Sequence, residues 1–248
     1  MSLLIKGKNV IEIKDLTISF DDKTVLENIN LNIRKGEITT IVGQSGCGKS
    51  VLMKTIEALI TPQSGDVFID GVELFSLSRK ELNMTRRKVA MLFQGAALLD
   101  SLNVFQNVAL PLKEHTQLSE AEINRLVDEK LDLVGLSGLH RAMPSELSGG
   151  MKKRVALARA IILQPEYIIY DEPTTGLDSI IAHEIIRLIL KMHENYQVTS
   201  IIITHDLACI SKLQGNIVMI HNKKIVFDGK YQEFINSNLK IIKNFIAV

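Results

Sequence analysis

The chain has 248 residues, with 29 Lys and Arg against 28 Asp and Glu for a formal net charge of +1, 46% apolar and 23% charged residues, and no tryptophan. That balance describes an ordinary globular chain long enough for a sizeable core, and it excludes a broad polyanion-binding surface for nucleic acid or an anionic bilayer, so any anion site must be local. There is no run of about 18 uncharged apolar residues to span a membrane, and Cys47 and Cys209, in unrelated contexts, form neither a disulfide framework nor a zinc site, which fits a reducing cytoplasm.

Residues 1–9 lack the long apolar core and small-residue cleavage site of a secretory signal. Ile11 and Ile13, then Leu16, Ile18 and Phe20, then Ile29, Leu31 and Ile33 recur at period two and predict an antiparallel sheet. Asp70 and Gly71, set between two short apolar runs, extend that region, because this dipeptide accepts the positive φ angles of a tight hairpin turn. From Glu37 the pattern changes. The runs 38–42, 89–93, 167–170 and 200–204 are apolar on both faces, which predicts a parallel sheet covered by helices.

Between the second and third of these strands lies a long helical stretch. Ser119 and Glu122 form a capping box, Ile123, Leu126, Val127, Leu131 and Val134 make one apolar stripe, and Gly135 is a stop signal. Residues from about 95 to 160 are expected to be a helical subdomain inserted into the sheet domain. With no repeat or linker, residues 1–248 are expected to work as one domain. After Gly215 the pattern predicts a strand at 217–220, a polar turn at Asn222, Lys223 and Lys224, a second strand and two short helical pieces. Tyr231, Phe234, Ile241, Ile242 and Phe245 could pack on the core or bind a partner, core packing being the expected use.

Gly43, Gln44, Ser45, Gly46, Cys47, Gly48, Lys49 and Ser50 fit G-x-x-x-x-G-K-[ST], between the strand 38–42 and a helical segment from Val51 over 51–59. Glycines let successive backbone N–H groups face phosphate oxygens, and the following helix adds its positive end. Lys49 is expected to reach the β and γ phosphates of a nucleoside triphosphate and Ser50 to ligate Mg²⁺. Cys47 needs only to be small; packing is its expected use rather than a redox switch. Downstream, the strand 167–170 ends in Asp171 and Glu172, at the strand end where α/β sheets bind ligands. Asp171 suits Mg²⁺, and Glu172 suits orienting or deprotonating an attacking water.

Leu147, Ser148, Gly149, Gly150 and Met151 precede that strand. With Gln94, the run Pro173, Thr174, Thr175, Gly176, Leu177 and Asp178, and the triplet Thr204, His205 and Asp206, they resemble in order the motifs of ABC ATPases. The resemblance covers nearly the whole chain and implies an α/β P-loop NTPase of RecA-like type, with a parallel-sheet core, an N-terminal antiparallel β region and an inserted helical subdomain. It implies that Phe20 stacks on adenine, a core phenylalanine on the alternating strand being the alternative. It also implies that Gln94 senses Mg²⁺ and γ-phosphate, that His205 touches the γ-phosphate, and that Asp178 sits at a subunit junction. Ser148, Gly149 and Gly150 open an apolar helix at 151–163 and offer a second anion site. In the family this surface closes over the ATP of the opposite subunit, giving a head-to-tail homodimer around two ATP. Lys152, Lys153 and Arg154 follow on that helix and are assigned no role, a solvated basic face being one reading.

The family's soluble members include translation factors with two cassettes and repair clamps with coiled-coil arms, neither of which fits one motif set in 248 residues. An iron-sulfur assembly ATPase stays open as an alternative, as does transport of another hydrophobic compound. The segment 93–99, then 103–118, with 143–146 before the signature, is similar to the ATPase of MCE-associated phospholipid transporters that maintain lipid asymmetry. This likeness implies a separate membrane permease, an MCE-domain lipid-binding protein, a possible STAS-domain partner, and a cytoplasmic location, peripheral on the inner membrane. The stretch 171–178 follows the general ABC form and supports the ATPase reading alone. His115 is expected to be an exposed residue rather than a partner contact.

Overall fold

The computed structural model describes residues 9–247, so the reading of residues 1–8 lies outside the described residues. Strands β1 (Asn9–Phe20), β2 (Lys23–Arg34), β4 (Ser64–Ile69) and β5 (Val72–Glu73) form an antiparallel sheet in the order β2-β1-β4-β5. Asp70 (φ 54°) and Gly71 (φ 80°) make the tight turn joining β4 to β5. The alternation along β1 is interrupted. Asp15 takes φ 49°, the pairing with β2 shifts register four times, between Asn9 and Ile11, Ile13 and Leu16, Leu16 and Ile18, and Ile18 and Ser19, and the side chain of Asn30 binds the Asp15 backbone N–H at 3.1 Å. Ile11, Ile13, Leu16 and Ile18 remain buried, but Phe20, beyond the last of these shifts, is 46% exposed, so it is no core residue.

The second sheet runs β10-β9-β3-β8-β7-β6. Strands β3 (Ile38–Val42), β6 (Val89–Leu92), β7 (Tyr167–Asp171), β8 (Thr199–Ile203) and β9 (Asn216–His221) are parallel, and β10 (Lys224–Lys230) pairs antiparallel with β9. All five residues of β3 and of β8 are buried, as two-sided coverage demands. Period two divides β7 between the layers. Tyr167 and Ile169 face the antiparallel sheet and helix α1 (Lys49–Ile56), while Ile168 and Tyr170 face the helices on the other side. Each such buried side chain contributes roughly 1.5–3 kcal/mol of transfer free energy.

The helices on that second face are α3 (Val104–His115), α4 (Glu120–Leu133), α5 (Gly149–Ile161) and α6 (Ser179–Tyr196); α2 (Arg79–Arg86) precedes β6. The Ser119–Glu122 capping box starts α4, and Gly135 follows its end with φ 71°. Helix α7 (Leu207–Leu213) follows β8. Helices α8 (Tyr231–Ile235) and α9 (Lys240–Ile246) bring Phe234 and Ile242 into a third apolar cluster with Val42, Ile217 and Met219, while Tyr231, Ile241 and Phe245 are partly buried against it. His115 ends α3, exposed. Among the described residues no helix is long and apolar enough to cross a membrane.

Two polar clamps join the layers. The Tyr167 hydroxyl and Lys88 Nζ, the latter at 2.8 Å, both donate to the Asp70 carboxylate. Burial alone would raise the Asp70 pKa, but these hydrogen bonds prevail and hold it below the usual range.

Candidate active site

The loop between β3 and α1 is built for close backbone approach. A side chain on Gly43 (φ 153°) would stand 2.4 Å from the Ile220 carbonyl oxygen, and one on Gly48 (φ 108°) would stand 2.6 Å from Leu26 Cδ2. Lys49 is 8% exposed, and its Nζ donates to the carbonyls of Gly43 at 2.8 Å and Gln44 at 3.1 Å. The loop borders a cleft of about 1040 Å³. Every residue from 43 to 51 lines it except Cys47, whose side chain packs against the apolar cluster that includes Ile41 and Leu52.

Gln94, Asp171, Glu172 and His205 line the same cleft. Asp171 ends β7, and its pKa is raised by burial and then by the neighbouring Glu172 charge, against the pull of Lys49 and Lys54. Glu172 turns away from the strand with φ 46° while its N–H still donates to the Ile203 carbonyl at 2.8 Å. One carboxylate oxygen, Oε1, is 2.8 Å from His205 Nδ1; the other accepts from the hydroxyls of Thr175 at 3.1 Å and Thr204 at 3.3 Å. Buried Thr174 completes the frame by donating to Asp206 at 2.9 Å.

Phe20, Ser148, Gly149, Gly150 and Asp178 do not line this cleft. Ser148 caps α5, its Oγ accepting from the Met151 N–H at 3.3 Å, and Asp178 caps α6 through the N–H groups of Ile180 and Ile181, both at 3.0 Å. From the C-terminal region, Ile241, Asn244 and Phe245 also line the cleft, a position their apolar pattern does not reveal.

Two of the three basic residues after the signature do not form a solvated face: Lys153 is 5% exposed and donates to the carbonyls of Glu172, Pro173 and Thr175, while Arg154 pairs with Glu184 and donates to the Val134 carbonyl. The available signal was the helical wheel, on which Gly150, Lys153 and Leu157 fall on one buried stripe. Asn107 and Arg159 also bind the loop after Gln94; Asn107 lies within the segment 103–118 but has no role of its own assigned there, and Arg159 belongs to no motif.

A phosphate loop facing two carboxylates at the end of a parallel strand defines a P-loop nucleoside triphosphatase. The ABC transporter family matches residues 26–175. MlaF of Haemophilus influenzae, an intermembrane phospholipid transport system ATP-binding protein, is 40% identical over 238 residues, covering 96% of this chain and 90% of that one. MlaF of Escherichia coli K12 is 39% identical over 224 residues, covering 90% and 83%. Among solved structures, a dimeric post-hydrolysis state of the ATP-binding cassette MJ0796 bound to ADP and Pi has 32% identity and TM-score 0.81, covering 89% of this chain and 98% of that one. A Clostridium perfringens component of an ABC transporter complex, cbiO1, has 29% identity and TM-score 0.83, covering 96% and 98%. The chain belongs to the ABC transporter family, and it is an ATP-binding ATPase of that family.

Proposed function

We propose that this ATPase works as a homodimer around two ATP and drives a separate membrane permease that moves phospholipid between the inner membrane and periplasmic components. The observation that carries the dimer is the split of the motifs: the hydrolytic groups share one cleft, whereas Ser148, Gly149 and Gly150 lie outside it. Each cleft is then completed by the opposite subunit's signature helix, with Asp178 at the junction and the exposed Phe20 free to stack on adenine. The similarity to MlaF along most of both chains supports phospholipid as the cargo, and an MCE-domain lipid-binding protein and a STAS-domain protein as further partners. The chain then sits on the cytoplasmic face, held to the inner membrane by the permease. Residues 1–248 act as one nucleotide-binding domain with a helical subdomain at about 95–160.

In the reaction, the N–H groups of residues 43–50 and Lys49 Nζ hold the phosphates, the lysine leaving its carbonyl partners to do so. Glu172 takes a proton from water, which attacks the γ-phosphorus in line as the bond to the ADP oxygen breaks. His205 orients Glu172 and meets the γ-phosphate. Among the described residues no cluster of three His, Cys, Asp or Glu side chains could hold a metal alone. The oxygen donors of Ser50, Gln94 and Asp171 on the cleft wall nonetheless fit Mg²⁺ shared with phosphates. That ion, when bound, neutralises phosphate charge. Gln94, which would help hold it, would link the site to the permease.

The test is purification of the full chain from membranes, followed by identification of associated chains and lipid. A polytopic permease and phospholipid are expected. Recovery with soluble iron-sulfur scaffold proteins and no permease overturns the reading.

A further inference from the structure

Lys153 occupies an unusual place for a lysine. On an apolar helix the ammonium ordinarily reaches water along its stem. Here it ends under the turn that follows β7, and its three donors meet three neutral acceptors: the carbonyls of Pro173 at 2.8 Å, Thr175 at 2.9 Å and Glu172 at 3.3 Å. Those carbonyls belong to the short turn that carries Glu172, and Glu172 has the positive φ of 46° that a residue with a side chain keeps only when its surroundings dictate it. Burial lowers the Lys153 pKa and the Glu172 charge raises it, so the two groups act on one another electrostatically as well.

The other end of the contact is the signature helix. Lys153 stands one turn below Gly150, and Gly150 lies so close to α6 that a Cβ there would meet Ile181 Cγ2 at 2.4 Å. Ser148 and Gly150 therefore cannot shift far without moving the carbonyl clamp. We propose that Lys153 is a positioning residue for hydrolysis: it fixes the backbone of Glu172 from the signature helix, so that seating of one subunit's ATP on Ser148, Gly149 and Gly150 of the other also sets the general base of that other subunit's own site. This rests on the reading above, in which Glu172 is the base and the signature binds across the dimer.

The experiment compares Lys153→Met, Lys153→Gln and Lys153→Arg with the parent in the full chain. Binding of a fluorescent ATP analogue gives affinity and the number of intact sites; phosphate release gives turnover per intact site. Lys153→Met is expected to keep ATP affinity within about threefold while turnover per site falls about thirtyfold to a hundredfold, the scale of a misplaced base. Lys153→Arg, which keeps several donors, is expected to regain turnover to within about threefold. Lys153→Gln, gentler on folding, is expected to lose about tenfold. Unchanged turnover per intact site in Lys153→Met or Lys153→Gln, or an arginine variant as slow as the methionine one, overturns the proposal. Glu172→Gln is run alongside. Parent-like turnover there overturns the assignment of the base itself, whereas an inactive Glu172→Gln beside a fully active Lys153→Met overturns only the role of Lys153.

Discussion

His205 Nδ1 lies 2.8 Å from Glu172 Oε1, joining an exposed imidazole to a carboxylate whose side chain is only 12% exposed. With two threonine hydroxyls on Oε2, the carboxylate is held in one orientation before substrate arrives. Such preorganisation removes a reorientation step from the barrier. Glu172→Gln keeps the shape and abolishes the basicity. It is expected to bind ATP within about threefold of the parent and to release phosphate at least about 100-fold more slowly. In sedimentation with Mg²⁺ and ATP it should accumulate as a dimer, and ordinary phosphate release would remove Glu172 from the mechanism.

Gly150 and Gly149 are adjacent in the signature but meet different surroundings. A Cβ on Gly150 would press on the β-branched Ile181 at 2.4 Å, whereas one on Gly149 would rest at 3.5 Å from Leu177 Cδ2. Gly150→Ala is therefore expected to lower unfolding free energy by about 1–3 kcal/mol through overpacking. Gly149→Ala is expected to leave stability within about 0.5 kcal/mol, since its contact is ordinary. Urea unfolding of the two variants checks this, and equal midpoints would contradict it.

Much of this architecture could be read locally because backbone chemistry restricts the residues. Gly43 and Gly48 are dictated by neighbours that no side chain tolerates, Asp70-Gly71 by the turn, and Ser119 with Glu122 by unpaired N–H groups at a helix start. What escaped the sequence depends on distant partners. The parallel pairing of β9 with β3 joins Thr39 to Asn216, far apart in the chain. The exposure of Phe20 follows the register shift between Ile18 and Ser19, the last of four irregularities in the pairing of β1 with β2. Lys153 sat within a basic trio whose charge pointed to water, and only the packing of α5 against the turn after β7 gives it acceptors. Strand and helix ends moved as well: β6 stops at Leu92, leaving Phe93 40% exposed, α1 occupies Lys49–Ile56, and α5 begins at Gly149.

Asn107 is fully buried and spends its amide on the loop after Gln94. Oδ1 accepts from the Leu99 N–H at 2.9 Å, and Nδ2 donates to the carbonyls of Leu99, Leu102 and Asn103 at 3.1, 2.9 and 3.1 Å. Arg159 adds a hydrogen bond to the Ala96 carbonyl at 3.0 Å. Asn107→Leu has similar volume but no polar atoms, so several of these backbone groups lose their partner. It is expected to cost about 2–4 kcal/mol. Hydrogen exchange should rise first at Leu99. Unaltered exchange over residues 95–103 would show that the amide does not hold this loop.

Glu57, just after α1, is pushed up to about 7, chiefly by burial and also by the Asp171 charge, while Arg86 and Lys54 pull it down. Its Oε2 is buried without a partner, so ionisation in the folded state lacks compensation. The folded chain therefore holds this proton more tightly than the unfolded one. Its stabilising contribution is complete below the ordinary glutamate pKa and fades as pH rises through about 7. Over that interval the parent is expected to lose about 2–3 kcal/mol relative to Glu57→Gln, which carries no titrating proton. Urea unfolding of both proteins at pH 5, 6, 7 and 8 measures the difference directly. The glutamine variant should gain on the parent at each step towards pH 8, and parallel profiles across the series would show that the Glu57 carboxyl titrates alike in both states.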